Sequence, residues 1–199
     1  MRVLASVLLA VLFSTSAAAQ ADDMDINYCK DLTAEDFYAA AKWSFAKRKY
    51  QIEEDTPSSV IGAQKGKKVQ IAMTAPGQIA IRWVPGFGYT SDGWLKNLKY
   101  DMLWKLAGKA EQGMVSINWC KDLSEDDFNS TAKLSLEQGR YQIEEDTSSR
   151  LIGSQQGKKV EIAMTEPGHI VIRWVPGFGY SSDKWLRNVF VNLTWHLAQ

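Results

Sequence analysis

The sequence predicts an α+β protein made of two tandem α-β-β-β-α repeats, each a small antiparallel three-stranded sheet packed by two helices. Three observations support this fold class. The chain repeats itself with an offset of 91 residues, and 50 of the 83 positions aligned from Ile26 to Gly108 are identical. Apolar and polar residues alternate in the middle of each repeat, as in half-buried strands. Apolar residues at helical spacing flank these strands on both sides.

Each repeat is predicted to begin and end with a helix. Thr33 and Asp36, with Ser124 and Asp127 in the second copy, form a capping-box pattern at the first helix. Ser91 is expected to cap the last helix. The apolar faces of the two helices comprise Phe37, Ala41, Phe45 and positions 94, 95, 98, 102 and 106, each matched by an apolar residue 91 positions later.

The strands are predicted between these helices. Residues 50–55 and 60–64 are expected to be extended, with an interruption at Thr56-Pro57-Ser58. Residues 69–73 and 79–83 then alternate between apolar and polar side chains, which is typical of strands with one buried face. The predicted boundaries are a signal peptide at 1–21, repeat 1 at 22–108, a linker at 109–113 and repeat 2 at 114–199.

The composition is that of a globular protein. Hydrophobic residues make up 45% and charged residues 23% of the 199 residues, which excludes a wholly disordered chain. The 23 basic and 23 acidic side chains balance, whereas proteins that bind nucleic acid usually carry an excess of Lys and Arg. We therefore expect no nucleic-acid partner.

The first 21 residues have the pattern of a secretory signal peptide. Arg2 gives a positive start, an apolar run follows from Val3 to Phe13, and the small residues from Ala17 to Ala21 offer cleavage sites. A membrane anchor is the alternative, but the run is shorter than a helix that spans a bilayer. The sequence thus predicts an exported protein, periplasmic or secreted, without a membrane span.

The order of elements resembles a group of small bacterial envelope proteins, many of them lipoproteins, that are mostly described as of unknown function. The resemblance lies in the Tyr50-Gln51-Ile52 strand, the small-residue turn, the two alternating strands and the Trp94-Leu95-Lys96-Asn97 start of the last helix. It covers each repeat from about residue 33 to 107 in first-copy numbers. This chain differs by carrying two copies and by lacking a cysteine placed for lipidation. The resemblance implies an envelope location and a non-catalytic role, and it transfers no active-site residue.

The two cysteines, Cys29 and Cys120, occupy equivalent positions in the two repeats. Oxidising surroundings outside the cytoplasm favour a disulfide, and equivalent residues meet when two copies pack about a pseudo-two-fold axis near them. Such a bridge would stabilise the protein by about 4–5 kcal/mol in the chain-entropy model. The alternative is two thiols buried separately. We predict the bridge.

A loop that returns unchanged carries candidate binding residues. The segment from Ile81 to Tyr89 is identical to the segment from Ile172 to Tyr180, and its glycines and proline bend the backbone between a strand and a helix. Its aromatic rings either stack on a sugar ring or a partner's side chain, or fold inward to close a small core. The rings in question are those of Phe87, Tyr89, Phe178 and Tyr180.

Two arginines complete the candidate binding site. Arg82 and Arg173 are out of phase with the core-facing residues of their strands, so we expect them to point away from the core. They form either an anion- or carboxylate-binding face, together with Lys68 and Gln70 on the neighbouring strand, or an ion pair with Glu53. The second use is the more common fate of a charge on an exposed strand face.

No set of residues indicates catalysis. Glu53, Glu54 and Asp55 are consecutive on a strand, so alternation sends them to opposite faces rather than into one carboxylate pair. His169 and His196 are absent from the first copy, and no His and Cys residues have zinc spacing. The Gly-Phe-Gly motif lacks the third glycine of a dinucleotide fingerprint. We expect no enzymatic activity, no cofactor and no metal site.

The sequence therefore predicts a non-catalytic binding protein whose partner is an envelope protein or a cell-wall glycan. The alternative is an inhibitor or immunity protein that blocks a secreted enzyme. A binding module should expose its aromatic loops in both copies, whereas an inhibitor should present one loop or one acidic edge in a single copy.

We also expect the repeats to pack on each other, or on a second chain, through the last helix of the second copy. Phe190 and Val191 add apolar surface there, where the first copy has Lys99 and Tyr100. The alternative is that Phe190 only covers the edge of its own sheet.

Overall fold

The computed structural model describes residues 24–88, 91–111, 113–179 and 183–199. They form four helices and two antiparallel sheets, so the protein is α+β. The signal peptide predicted at 1–21 lies outside the described residues. Within them, no helix combines the length and the apolar character needed to cross a bilayer. The helices are α1 (Ala34–Lys47), α2 (Gly93–Ala107), α3 (Glu125–Gln138) and α4 (Asp183–Leu197).

The first sheet has five strands in the order β1-β5-β4-β3-β2, and the second has six in the order β6-β7-β11-β10-β9-β8. The strands of the first sheet are β1 (Met24–Asn27), β2 (Gln51–Thr56), β3 (Ser59–Gln64), β4 (Lys67–Ala75) and β5 (Gln78–Trp83). Those of the second are β6 (Gly108–Glu111), β7 (Met114–Asn118), β8 (Gln142–Thr147), β9 (Arg150–Gln155), β10 (Lys158–Glu166) and β11 (His169–Trp174). Every element from β1 to α2 has a counterpart about 91 residues later, whereas β6 has none.

The prediction of three strands per sheet is wrong. The extended segments on either side of Pro57 are two separate strands, β2 and β3, which pair with each other. Each sheet also gains a strand that precedes its first helix, because β1 pairs with β5 and β7 pairs with β11. Most of the predicted linker at 109–113 belongs to β6, the edge strand of the second sheet. Strands β1 and β6 have four residues each, which is the shortest run in which alternation indicates a strand.

The predicted N-terminal caps of α1 and α3 are confirmed, and the predicted cap of α2 is wrong. The backbone N–H of Asp36 donates to Thr33 Oγ1 at 3.1 Å, and that of Asp127 donates to Ser124 Oγ at 3.1 Å. Helix α2 instead follows Asp92, whose backbone is already helical and whose side chain makes no capping bond. Ser91 therefore lies one residue too early to cap it.

In each half, two helices pack side by side on one face of the sheet. Helix α1 contacts β2, β3 and β4, and α2 contacts β1 and β5. The core between them consists of the residues that the helical and strand periodicities place inward, among them Phe37, Phe45, Val69, Ile71 and Leu98, all at most 1% exposed. Trp94 differs from the prediction because 37% of its surface is exposed.

Helices α2 and α4 contact each other through aromatic side chains. The Phe190 ring is fully buried and meets the Trp104 ring edge-on at a centroid distance of 4.7 Å. One turn further along, the Trp195 ring lies 5.2 Å from that of Tyr100. The backbone N–H of Asn27 on β1 also donates to the carbonyl of Ala198, just after α4, at 3.1 Å. Phe190 therefore contacts residues of the first half as well as its own core.

The predicted disulfide between Cys29 and Cys120 is present, with a Cα–Cα distance of 5.1 Å. The neighbouring Tyr28 and Trp119 rings pack edge to face at 5.0 Å. The Tyr28 hydroxyl donates to the carbonyl of Asn118 at 3.1 Å. Burial, reinforced by the nearby carboxylates of Asp31 and Asp36, raises the pKa of Tyr28 to about 12. The tyrosine is therefore a neutral donor across the physiological pH range.

Candidate binding site

The loop after β5, and its counterpart after β11, present their phenylalanines to solvent. Gly86 has φ +85° and Gly88 has φ +60°, a left-handed conformation that favours glycine at both positions. The intervening Phe87 ring is 41% exposed, and Phe178 is 43% exposed. Of the two alternatives for these rings, the structure thus shows the outward one. Tyr89 and Tyr180 lie outside the described residues.

Each exposed phenylalanine covers an ion pair. Lys68 Nζ lies 4.0 Å from the Phe87 ring centroid and 2.6 Å from Glu53 Oε2. In the second half, Lys159 Nζ lies 4.2 Å from the Phe178 ring centroid and pairs with Glu144. We call these two sets the Phe–Lys–Glu clusters: Phe87, Lys68 and Glu53, and Phe178, Lys159 and Glu144.

The sheet positions the two charges of each cluster. Lys68 lies on β4 with its side chain on the face opposite the helices, because its neighbour Val69 is in the core. Glu53 is the extra residue of a bulge in β2, between Ile52 and Glu54, so its direction departs from simple alternation. Ala63 on the intervening strand β3 pairs with Lys68 and has a side chain small enough for the two charges to meet across it.

Each cluster combines an exposed aromatic ring with an ordered ammonium group. The hydrogen bond from Lys159, followed by that from Ser154, lowers the pKa of Glu144, so this carboxylate is charged near neutral pH. The lysine is held by a carboxylate on one side and by the face of a ring on the other, which limits its motion. On such a surface, the ring can contact a flat or aliphatic group of a partner, while the lysine donates to a polar acceptor beside that group.

Arg173 and Arg82 differ in their surroundings. Arg173 Nε donates to Glu161 Oε2 at 2.8 Å, and Arg150 Nε donates to Glu161 Oε1 at 2.8 Å. Burial alone would raise the pKa of Glu161, but the hydrogen bonds and charges of the two arginines outweigh it and hold the pKa below its ordinary value. In the first half Arg82 lies opposite the uncharged Gln70. Alignment of the two repeats shows that Glu161 stands in place of Gln70, but it does not show that Glu161 is buried.

The carboxylates of β2 and the His169 ring contact separate partners. Glu53 faces Lys68, whereas Asp55 accepts hydrogen bonds on the helix side from Tyr38 at 2.6 Å and Lys42 at 3.2 Å. His169 Nδ1 lies 2.9 Å from Asn118 Oδ1. Across the described residues, no three His, Cys, Asp or Glu side chains are grouped as metal ligands would be.

A cavity of about 480 Å³ lies beside the disulfide, and its lining includes no residue of either cluster. Tyr28 and Trp119 form part of its wall, and Asp31, Lys105 and Lys121 contribute charges of both signs. Of the predicted binding residues that the structure describes, Arg82, Phe87, Arg173 and Phe178, none lines this cavity.

Comparison with family models, with curated proteins and with solved structures gives no match to this chain.

Proposed function

We propose that this chain is an exported, non-catalytic binding protein that contacts its partner through the two Phe–Lys–Glu clusters. The observation that carries the proposal is the outward position of both rings, Phe87 at 41% and Phe178 at 43% exposure. Large apolar side chains fixed on the surface by their neighbours are typical of contact residues in protein interfaces. The partner is an envelope protein or a cell-wall glycan.

The proposal includes a tandem duplication whose two copies pack on each other. The 91-residue offset in sequence and the matching order of helices and strands support the duplication. The contact of Phe190 with Trp104 supports packing between the copies. The resemblance to small envelope proteins, the signal-peptide pattern and the disulfide are all compatible with a protein that functions outside the cytoplasm.

An inhibitor or immunity protein is the alternative function. Such a protein would present one protruding loop or acidic edge in a single copy. The two phenylalanines are similarly exposed, and each lies against a lysine paired with a glutamate. These features favour a module with two like contact surfaces instead.

Capture from an envelope extract tests the proposal, with residues 22–199 as bait. We expect Phe87→Ala combined with Phe178→Ala to reduce the captured partner, or the fraction that pellets with purified cell wall, at least tenfold. Leu134→Ala is the matched control, because Leu134 is 45% exposed on α3 and belongs to neither cluster. Undiminished capture by the double variant would show that the clusters are not the contact surface.

A further inference from the structure

Two small cavities occupy equivalent places in the two halves, each between the end of the first helix and the start of the last. The first, of about 210 Å³, and the second, of about 200 Å³, share four lining residue types at an offset of 91. We call them the paired cavities. Their shared residues are Tyr50, Gln64, Trp94 and Asn97 in the first, and Tyr141, Gln155, Trp185 and Asn188 in the second.

Aromatic rings form one wall of the first cavity. The Tyr50 and Trp94 rings meet at an interplanar angle of 79° with their centroids 6.3 Å apart. Tyr50 is 7% exposed, whereas Trp94 is 37% exposed and stands at the rim. Trp94 therefore offers a fixed apolar surface to a ligand, and its half-buried counterpart Trp185 lines the second cavity.

Side-chain amides supply the polar groups. Gln64 Nε2 donates to the carbonyl of Arg48 at 2.9 Å, which fixes the orientation of the amide. Its Oε1 is buried and accepts no hydrogen bond from the part of the chain that the structure describes. Gln155 Nε2 makes the equivalent bond to the carbonyl of Gly139 at 3.1 Å. Asn97, exposed on α2, adds both a donor and an acceptor at the rim.

The shared lining carries no net charge. Arg48 lines only the first cavity, and its Nε donates to the buried Asp101. The second cavity has Gly139 in that place. A ligand common to both cavities is therefore selected by an aromatic surface and by neutral donors and acceptors, not by charge.

We propose that each of the paired cavities binds one ring of a neutral saccharide. A sugar ring has an apolar face of C–H groups for the tryptophan and hydroxyls for the amides, and the Gln64 acceptor would receive one of them. The volume is below that of pockets for drug-sized ligands, which limits each cavity to a single ring. This inference rests on the proposed binding function, to which it adds a ligand class and a second pair of surfaces.

Titration of the full mature chain with the tetramer of N-acetylglucosamine, and with a glucose tetramer as second probe, tests the proposal. The observable is the set of indole N–H signals in nuclear magnetic resonance spectra. We expect the signals of Trp94 and Trp185, assigned by their loss in Trp94→Ala and Trp185→Ala, to shift with at least one probe at millimolar concentration. The signal of Trp43, a half-buried tryptophan on α1 outside both cavities, should stay fixed.

Asn97→Ala gives a second test, one that leaves the packing contacts of Trp94 in place. Asn97 is exposed on a helix, where alanine is well tolerated. We expect it to weaken saccharide binding at Trp94 about fivefold, as expected for one neutral hydrogen bond, and to leave binding at Trp185 unchanged. Asn188→Ala should do the reverse.

Two results would overturn the saccharide proposal. One is the absence of shifts at both tryptophans with both probes, and the other is shifts of equal size at Trp43. Either result leaves the Phe–Lys–Glu clusters to be judged by the capture experiment alone. Conversely, saccharide binding at the paired cavities together with undiminished capture by the phenylalanine variants would support the cavities and contradict the clusters.

Discussion

Lys99 and Phe190 occupy equivalent positions on α2 and α4, yet one is a cation and the other an apolar ring. Both are buried, at 3% and 0% exposure. Lys99 Nζ donates to the carbonyl of Asp25 at 2.7 Å and lies 4.1 Å from the Trp195 ring centroid. Burial lowers the pKa of Lys99 to about 8, although the charge of Asp25 opposes the shift. The charged form is therefore destabilised by folding, despite its partners.

Replacing this lysine should change the pH dependence of stability. The folded pKa of about 8 lies below the unfolded value of about 10.4, so the folded state releases its proton first and the wild type gains stability as pH rises through that window. We expect Lys99→Met to be the more stable protein at pH 7, and we expect the wild type to gain about 2–3 kcal/mol relative to this variant between pH 7 and pH 10.5. Urea unfolding at both pH values measures it.

Lys105→Met is the control, because Lys105 is exposed on the same helix. It should follow the pH profile of the wild type. A difference between Lys99→Met and the wild type that stays constant from pH 7 to 10.5 would contradict the assignment of this titration to Lys99.

At the scale of elements, periodicity predicted the longer strands and helices but not the short edge strands. Strand β4 and helix α1 are long enough for their alternation and helical spacing to be read from the sequence. Strands β1 and β6 have four residues each and depend on pairing with a neighbour. The sequence analysis predicted Arg82 as the partner of Glu53, but Glu53 pairs with Lys68. The bulge at Glu53 explains the difference, since alternation cannot be counted across an inserted residue.

The sequence identified the loop that carries the candidate site, but it did not show which of the side chains in that loop face solvent. The repeated loop identified Phe87 and Phe178, but Gly-Phe-Gly permits the ring to turn inward or outward, so only the structure decides. The buried Glu161 accepts a hydrogen bond from Arg150 on a neighbouring strand, and the pattern of one strand does not show contacts with the next. Trp94 shows the reverse case, because it falls on the apolar face of α2 and is nevertheless exposed at the helix start.

The contribution of Phe190 to the contact between α2 and α4 can be tested by comparing a Phe→Ala substitution there with the same substitution at an exposed position. Phe190→Ala removes a fully buried ring from the contact with Trp104, and we expect it to lower the free energy of unfolding by about 3–5 kcal/mol. Phe178→Ala removes the same atoms from an exposed position, and we expect a change of at most about 0.5 kcal/mol. Urea midpoints compare the two; equal losses would mean that α4 is not anchored by Phe190.

At the scale of the whole molecule, the disulfide joins residues that are 91 positions apart. Closing a loop of this length removes many conformations of the unfolded chain, which stabilises the folded state by about 4–5 kcal/mol. We expect Cys29→Ser combined with Cys120→Ser to lose about that free energy of unfolding. The reduced wild type is the control and should unfold at the same urea concentration as the double variant. No change in either would show that the bridge does not form in the purified protein.

The same bridge makes the two equivalent loops unequal toward proteases. It closes residues 29–120 into a covalent ring that includes the loop of Phe87 and excludes the loop of Phe178. A single cut beside Phe87 opens the ring, but both pieces stay linked through sulfur and can return to the native arrangement. A single cut beside Phe178 detaches α4, which is then held only by its noncovalent contacts. Two surfaces with the same residues and the same exposure thus differ in how well the protein survives damage in an environment rich in proteases.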